Sequence, residues 1–337
     1  MSDKKKMGFF QKTKNMTDTN LLLAITMIVF FAMYIGAMIF EGKGFLKAQT
    51  FLNMLNANAA LIIASCGMSI VMITGSIDIS VGGVAALVSM CCAVYLDYHG
   101  GNVVTAIFIS LGIGLLFGLV QGYLVAYLDI QPFIVSLAGM FFARGMTTIV
   151  NTEPFNVQNE AFVKLKETRV IVPGLGSVNK LGKYVNAYVE IGVVVALILV
   201  IVLFCMLRWS KSGRNFYAVG GNQQSALMLG INVKKTKFMA HLLCSLLAGV
   251  GGLVYLMHVG SGSASHATGM EMNAIASSII GGTMLTGGVG NIIGTLFGVL
   301  SLSTIQNIVS SAGLDQAWWT GITIAAMLCL FLVIQSV

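Results

Sequence analysis

Apolar runs of about 20 residues recur along this chain, separated by short polar or glycine-rich breaks. Continuous runs of that length predict helices that cross a bilayer, whereas a closed β-barrel would need polar and apolar residues in alternation. About ten spans are expected, at approximately 21–40, 58–75, 81–97, 103–128, 133–150, 187–207, 237–258, 271–288, 290–312 and 317–337. Phe45–Asn56 has mixed polarity and predicts a short interfacial helix. The expected class is an all-α polytopic membrane protein.

Composition excludes the main alternative. Of 337 residues, 57% are hydrophobic and only 9% charged, with a mean hydropathy of +0.89; soluble domains average about 25% charged. The formal charge of +7 sits in two places, the N-terminal MSDKKKMGFFQKTK and the mid-chain island Arg208–Lys237. That island carries six of the 19 Lys and Arg and no acid, and residues 238–337 carry no Lys or Arg at all. Membrane proteins keep such basic segments in the cytoplasm, so topology explains the charge and nucleic acid is not an expected partner. The expected division is a cytoplasmic N-terminus (1–20), a first membrane half (21–207), a cytoplasmic loop (208–236) and a second membrane half (237–337), with both termini inside a cell (inner or plasma) membrane. On this topology 151–186 lies outside, a mild exception because Lys164, Lys166, Arg169, Lys180 and Lys183 are interspersed with Glu153, Glu160 and Glu167. Leu21–Phe40 is too long for a signal-peptide core and has no small-x-small cleavage site, so it is read as an uncleaved first span. Trp209, Trp318 and Trp319 fall at expected interfaces and suit an aromatic belt.

A weak internal repeat is present. Gly114, Gly118 and Gly122 in the fourth span match Gly290, Gly294 and Gly298 in the ninth, each with a shared Leu-Phe-Gly. Glycines four apart make a smooth helix stripe for close backbone packing. The two spans run in opposite directions on this topology, which predicts an inverted repeat. A polar break, TGSIDIS in the first half and GSGSASHATGMEM in the second, recurs at matching places.

Polar residues inside apolar runs are the candidate transport-path groups: Asp78, Gln121, Arg144, Glu271, Asn273 and Asn307. Two readings are open for Asp78: a discontinuous helix beside the path, or a turn in which Asp78 or Ser80 satisfies amides at a helix start. Arg144 lies 12 residues past Pro132, about 18 Å along a helix, and needs an acid or an aqueous path. Glu271 and Asn273 open the eighth span, where an acid also suits the helix dipole. The amides Gln121, Asn151, Gln306 and Asn307 can serve a polyhydroxylated ligand or helix–helix bonding. The six cysteines and four histidines show no metal-ligand spacing.

Within the island, Ser212–Gly213 and Gly220–Gly221 predict turns, and Asn222 caps a short helix closed by Gly230. Leu227, Met228, Leu229 and Ile231 are too apolar for a solvated connector, so the segment predicts a docking element. The chain has no G-x-x-x-x-G-K-[ST] motif and no visible means of hydrolysing ATP.

At these residues the chain resembles the permease subunits of bacterial ABC sugar importers of the ribose/galactose/xylose type. SIDISVGG (76–83) is similar to G-I-D-[LI]-S-V-G, QPFIVSLAGMFFARG (131–145) to P-F-I-x-[TS]-L-x-x-M-x-x-x-R-G, and VGGNQQSALMLGIN (219–232) to G-G-N-x-x-A-A-x-x-x-G-I. The stretch 271–300 is similar to E-L-D-A-I-A-x-x-[IV]-[IV]-G-G-T-x-L-x-G-G-x-G-x-[IV]-x-G-T, and Gln316-AWWT looks most like the galactofuranose importer's permeases. Ser225 stands where the family has Ala, and Asn273 where it has Asp. The resemblance implies a permease dimer, homomeric or heteromeric, translocating a monosaccharide. It also implies a cytoplasmic ABC ATPase that binds ATP and Mg, an extracytoplasmic sugar-binding protein, and no cofactor or enzyme activity in this chain. Gly220, Gly221, Asn222, Ala226, Leu229, Gly230 and Ile231 then form the coupling element. Rival expectations are an ABC permease for branched-chain amino acids or nucleosides, and an ion-coupled secondary transporter.

Overall fold

The computed structural model describes residues 18–41, 45, 47–178, 184–313 and 317–336. The expected basic stretch 1–17, Lys180, Lys183 and Gln316 lie outside the described residues. In chain order the first helices are α1 (Asp18–Glu41), α2 (Ala48–Ile73), α3 (Val81–Tyr98), α4 (Val103–Ala126) and α5 (Pro132–Val150). A small external layer follows: β1 (Phe155–Asn156), α6 (Glu160–Glu167), β2 (Arg169–Val178) and β3 (Tyr184–Glu190). Next come α7 (Ile191–Trp209), two short helices α8 (Lys211–Gly221) and α9 (Gln223–Met228), and α10 (Val233–Val259). The chain closes with β4 (Ser261–Gly262), α11 (Met270–Ile280), α12 (Ile292–Ser311) and α13 (Ala317–Ser336). Eight of these helices (α1–α5, α7, α10 and α12) are long and apolar enough to cross a membrane. In α13 the apolar run is shorter, Trp318–Val333.

Several expected boundaries change. Among the described residues no separate interfacial helix precedes the second span: Ala48–Ile73 is one helix, since neither Gly nor Pro interrupts 48–66. Its Asn56 is buried, and the Asn56 Oδ1 accepts the Glu190 amide (2.9 Å). The sixth span starts at Ile191 rather than 187, because 184–190 pairs antiparallel with β2. The ninth begins at Ile292: Asn291 caps it, accepting the Ile293 amide (2.9 Å), which leaves Gly290 outside the helix. The expected eighth span, 271–288, is the largest difference. Its helix α11 has 11 residues and stops at Gly281–Gly282, where Gly282 adopts φ +85°. Eleven residues cover about 16 Å, half of a bilayer core.

Packing directions follow from close approaches. Gly114, Gly118 and Gly122 face Ser245, Leu242 and Phe238 in turn, so α4 runs antiparallel to α10. Gly67 faces Cys244 while Gly251 faces Ala60, so α10 is antiparallel to α2. The side chain of Asn58 bonds Ser303 (2.9 Å) and Ser69 pairs with Thr295 (2.6 Å), so α2 is antiparallel to α12. It follows that α4 and α12 are antiparallel to one another. The partnerships are also exchanged between halves: α4 and α3 pack on α10, and α12 and α11 pack on α2, while α5 flanks α3 as α13 flanks α11. This is the arrangement an inverted repeat requires. The second stripe is used differently from the first: Gly294 and Gly298 pack on Gly281 and Ser277 at the end of α11, and Gly290 lies against Ile73 and Thr283.

The two ends of the bundle differ. The 19 residues of α7 separate them by about 28 Å. The β2–β3 hairpin and α6 sit at one end, and α8 and α9 at the other.

Candidate functional site

Both halves contain a crossing that is only partly helical. After α2 ends at Ile73, residues 74–80 run without helix before α3 begins. Gly67 on α2 faces Cys244, whereas Ala85 and Val88 on α3 face Gly252, two turns further along α10. The chain has therefore turned back into the bundle, and α3 starts at mid-depth. In the second half, β4 pairs with β1, residues 263–269 turn inward, and α11 starts at Met270. The two starts meet: a Cβ at Gly82 would lie 3.1 Å from the Glu271 amide nitrogen. Glycine is required there because the approach leaves no room for a side chain.

Two helix N-termini thus face one another inside the membrane region, each equivalent to about half a positive charge. Two carboxylates answer them. Asp78 is fully buried, and its Oδ1 accepts the Ser80 amide (3.0 Å) and hydroxyl (2.6 Å). The Gln121 Nε2 donates to the Ser80 hydroxyl (2.9 Å), which brings α4 into the same network. Asp78 also faces His241 and Cys244 on α10. The crossing is therefore broken at Asp78, whose Oδ1 is engaged by Ser80, but neither the Asp78 nor the Ser80 side chain caps the amides of the first turn of α3. On the other side, Glu271 pairs with Arg144 of α5 (3.8 Å). The Arg144 guanidinium also donates to the carbonyl of Ala267 (2.7 Å) and to that of His266. Ala267 adopts φ +52°, a conformation that costs a side-chain-bearing residue energy and that surrounding contacts must hold in place.

Of the expected path residues, the structure gathers Asp78, Gln121, Arg144 and Glu271 around the two helix starts. Asn273 lies half-buried on α11 and Asn307 half-buried near the end of α12; neither side chain hydrogen-bonds another described residue. Asn151 lies beyond α5, where its amide contacts Tyr98 (3.3 Å). A buried hydroxyl seam was not expected. The Ser69 hydroxyl donates to that of Ser278 (3.0 Å), which also donates to the Ala274 carbonyl (2.8 Å), and Thr26 bonds the Ile280 carbonyl (2.8 Å). The signal was present as Ser and Thr within apolar runs, but such residues commonly satisfy their own helix.

The island forms a second site. Ser210 caps α8, accepting the Gly213 amide (3.0 Å), so Ser212–Gly213 lies inside a helix rather than in the expected turn. Asn222 caps α9, accepting the Ser225 amide (2.8 Å), and Gly230 at φ +76° ends that segment. Gly220 and Gly221 form a backbone junction with both broken crossings. The Gly288 amide donates to the Ile73 carbonyl (2.9 Å), and the Tyr217 hydroxyl to the Gly290 carbonyl (2.8 Å). A Cβ at Gly288, itself at φ +77°, would lie 2.8 Å from the Gly221 Cα. The chain after α2 (73–75), the chain after α11 (284–290) and the end of α8 are therefore in direct backbone contact. Ala226 is buried with Val219 and Val233, and Ile231 packs against them. Leu227, Met228 and Leu229 point outward, 59%, 82% and 78% exposed.

A family-level sequence profile described as "Branched-chain amino acid transport system / permease component" matches residues 50–332. Among similar proteins, the inner membrane ABC transporter permease protein YjfF of Escherichia coli (strain K12) is 35% identical over 95% of this chain and 93% of its own length. The fructose import permease protein FruG of Bifidobacterium longum (strain NCC 2705) is 34% identical over 82% of this chain and 80% of its own. The ribose import permease protein RbsC of Escherichia coli (strain K12) is 32% identical over 81% of each. No solved structure matches the chain. With a bundle of membrane-length helices, two helix N-termini meeting at its centre and a match across most of its length, the chain belongs to the branched-chain amino acid transport system / permease component family, as a permease subunit of an ABC importer.

Proposed function

We propose that this permease subunit carries a monosaccharide, with galactofuranose as the specific candidate, across a cell membrane into the cytoplasm. The observation that carries the sugar reading is that relatives named for fructose and ribose import align over about four-fifths of the chain; the family's description alone would suggest branched-chain amino acids. The Gln316-AWWT segment supports the narrower candidate. Helix N-terminal amides and two carboxylates at the centre supply the donors and acceptors that hydroxyls need. We place Asp78, Gln121, Arg144, Glu271, Asn273 and Asn307 along the path.

The driving force comes from a partner. Permease components of this family carry no cofactor and do not themselves hydrolyse ATP. We infer that an ABC ATPase, holding ATP and Mg, docks on the exposed Leu227–Leu229 ridge at a cytoplasmic end that also holds both termini. An extracytoplasmic sugar-binding protein would deliver cargo at the β2–β3 end, and two permeases, identical or not, would enclose the path between the halves 21–207 and 237–337. Movement of α8 and α9 would reach the centre through the glycine junction, because that junction touches both broken crossings. The cargo test is uptake by cells expressing the complete transporter, comparing labelled galactofuranose, ribose, xylose and fructose with labelled leucine. Sugar uptake that unlabelled leucine leaves unchanged is expected; leucine uptake with no sugar uptake would reverse the assignment.

A further inference from the structure

We propose that the cleft bounded by the starts of α1 and α12, the end of α7 and α8 binds the phosphate headgroup of an anionic phospholipid. This cavity, about 500 Å³, is lined by Arg208, Arg214, Asn20, Tyr217, Asn291 and Phe204 among others. Two arginines line this one cavity, and each guanidinium presents a planar fork of donors that suits phosphate oxygens. Neither arginine pairs with an acid among the described residues; Arg214 donates only to the Trp209 carbonyl (3.1 Å). The basic residue Lys234, by contrast, is already paired with Asp129 (3.6 Å). Retention of the loop on one side of the membrane requires positive charge but no cavity. Tyr217 brings no opposing charge, because a phenol is neutral near pH 7 and burial pushes this one further up, to about 12.

The position favours a lipid over a free solute. Arg208 lies in the last turn of a membrane-length helix, and the neighbouring Trp209 is 66% exposed, as an interfacial aromatic would be. Further along α7, the exposed Ile198, Ile201 and Val202 offer a surface for an acyl chain leading away from the cleft. Basic pockets between membrane helices at this depth suit anionic headgroups.

Native mass spectrometry of the full-length protein in detergent tests this, with phosphatidylglycerol, phosphatidylcholine or inorganic phosphate added. Phosphatidylglycerol adducts are expected to outlast phosphatidylcholine adducts in the wild type. The Arg208→Gln/Arg214→Gln variant should weaken them about 10- to 30-fold, since each basic group contributes about 1 kcal/mol. Lys234→Gln/Lys235→Gln, an equal loss of charge elsewhere on the loop, should leave them unchanged. Equal retention of the two lipids by the wild type would overturn the proposal even if the arginine variant fails to fold. So would weakening by the lysine variant to the same degree, or retention of inorganic phosphate as strong as that of the lipid.

Discussion

Arg144 and Glu271 hold one another in a setting where either charge alone would be costly, their side chains 21% and 12% exposed. Arg144→Ala should therefore lower stability by about 3–5 kcal/mol, less the relief that partial exposure allows, while Arg144→Met/Glu271→Met should recover only the part due to the stranded carboxylate, because the His266 and Ala267 carbonyls still lose their donor. Thermal melting in detergent reads both. If the pair also belongs to the path, the double variant should melt above Arg144→Ala yet transport little; full transport would leave the pair a purely structural role. Asp78→Asn keeps an acceptor for Ser80 and removes the charge that faces the α3 N-terminus, so a loss of about 0.3–2 kcal/mol is expected in the same melt. These residues were legible because a charge or amide inside an apolar run stands out. Asn273 and Asn307 stood out equally, and sequence carries nothing to show that their side chains make no hydrogen bond among the described residues. The Ser69–Ser278–Thr295 seam was not legible, since its partners lie more than 200 positions apart.

The short elements divide between an inward and an outward role. Met228→Ser/Leu229→Ser alters only exposed side chains and should change stability by less than about 0.5 kcal/mol. The same variant should release the ATPase from a pulldown of the tagged permease; an undiminished pulldown would place docking elsewhere. Gly288→Ala should do the opposite. It forces a Cβ into the junction at a positive φ, so loss of transport or of folded protein is expected while Leu227–Leu229 stays exposed. Caps at Asn222 and Gly230 were readable from their residue types, because few side chains serve those positions. The helix α8 was not, since Ser212 and Gly213 suggest a turn until Gly213 is seen packed against the Leu207 backbone. The length of α11 was similarly hidden: 281–288 carries no charge and no proline to interrupt the run, and the helix stops at Gly281–Gly282.

At the scale of the whole molecule, the antiparallel relation of α4 to α12 makes the two halves counterparts. Their broken crossings meet at the centre and are joined to α8 and α9 at one end. The class and most of the spans were visible as apolar runs, because lipid imposes the same length on every crossing. The return of residues 74–80 into the bundle was visible only as the polar break TGSIDIS, since depth is set by packing against α10. The central claim is that hydrolysis in a partner reaches these crossings through the island. The most direct measurement is ATP-dependent monosaccharide uptake into proteoliposomes holding the complete transporter, with residues 220–230 either native or replaced by a Gly/Ser linker of equal length. Native protein should take up sugar only with ATP, and the linker form should insert normally but neither transport nor retain the ATPase. Uptake by the linker form at the native rate, or native uptake that ignores ATP and collapses with an uncoupler, would contradict the account.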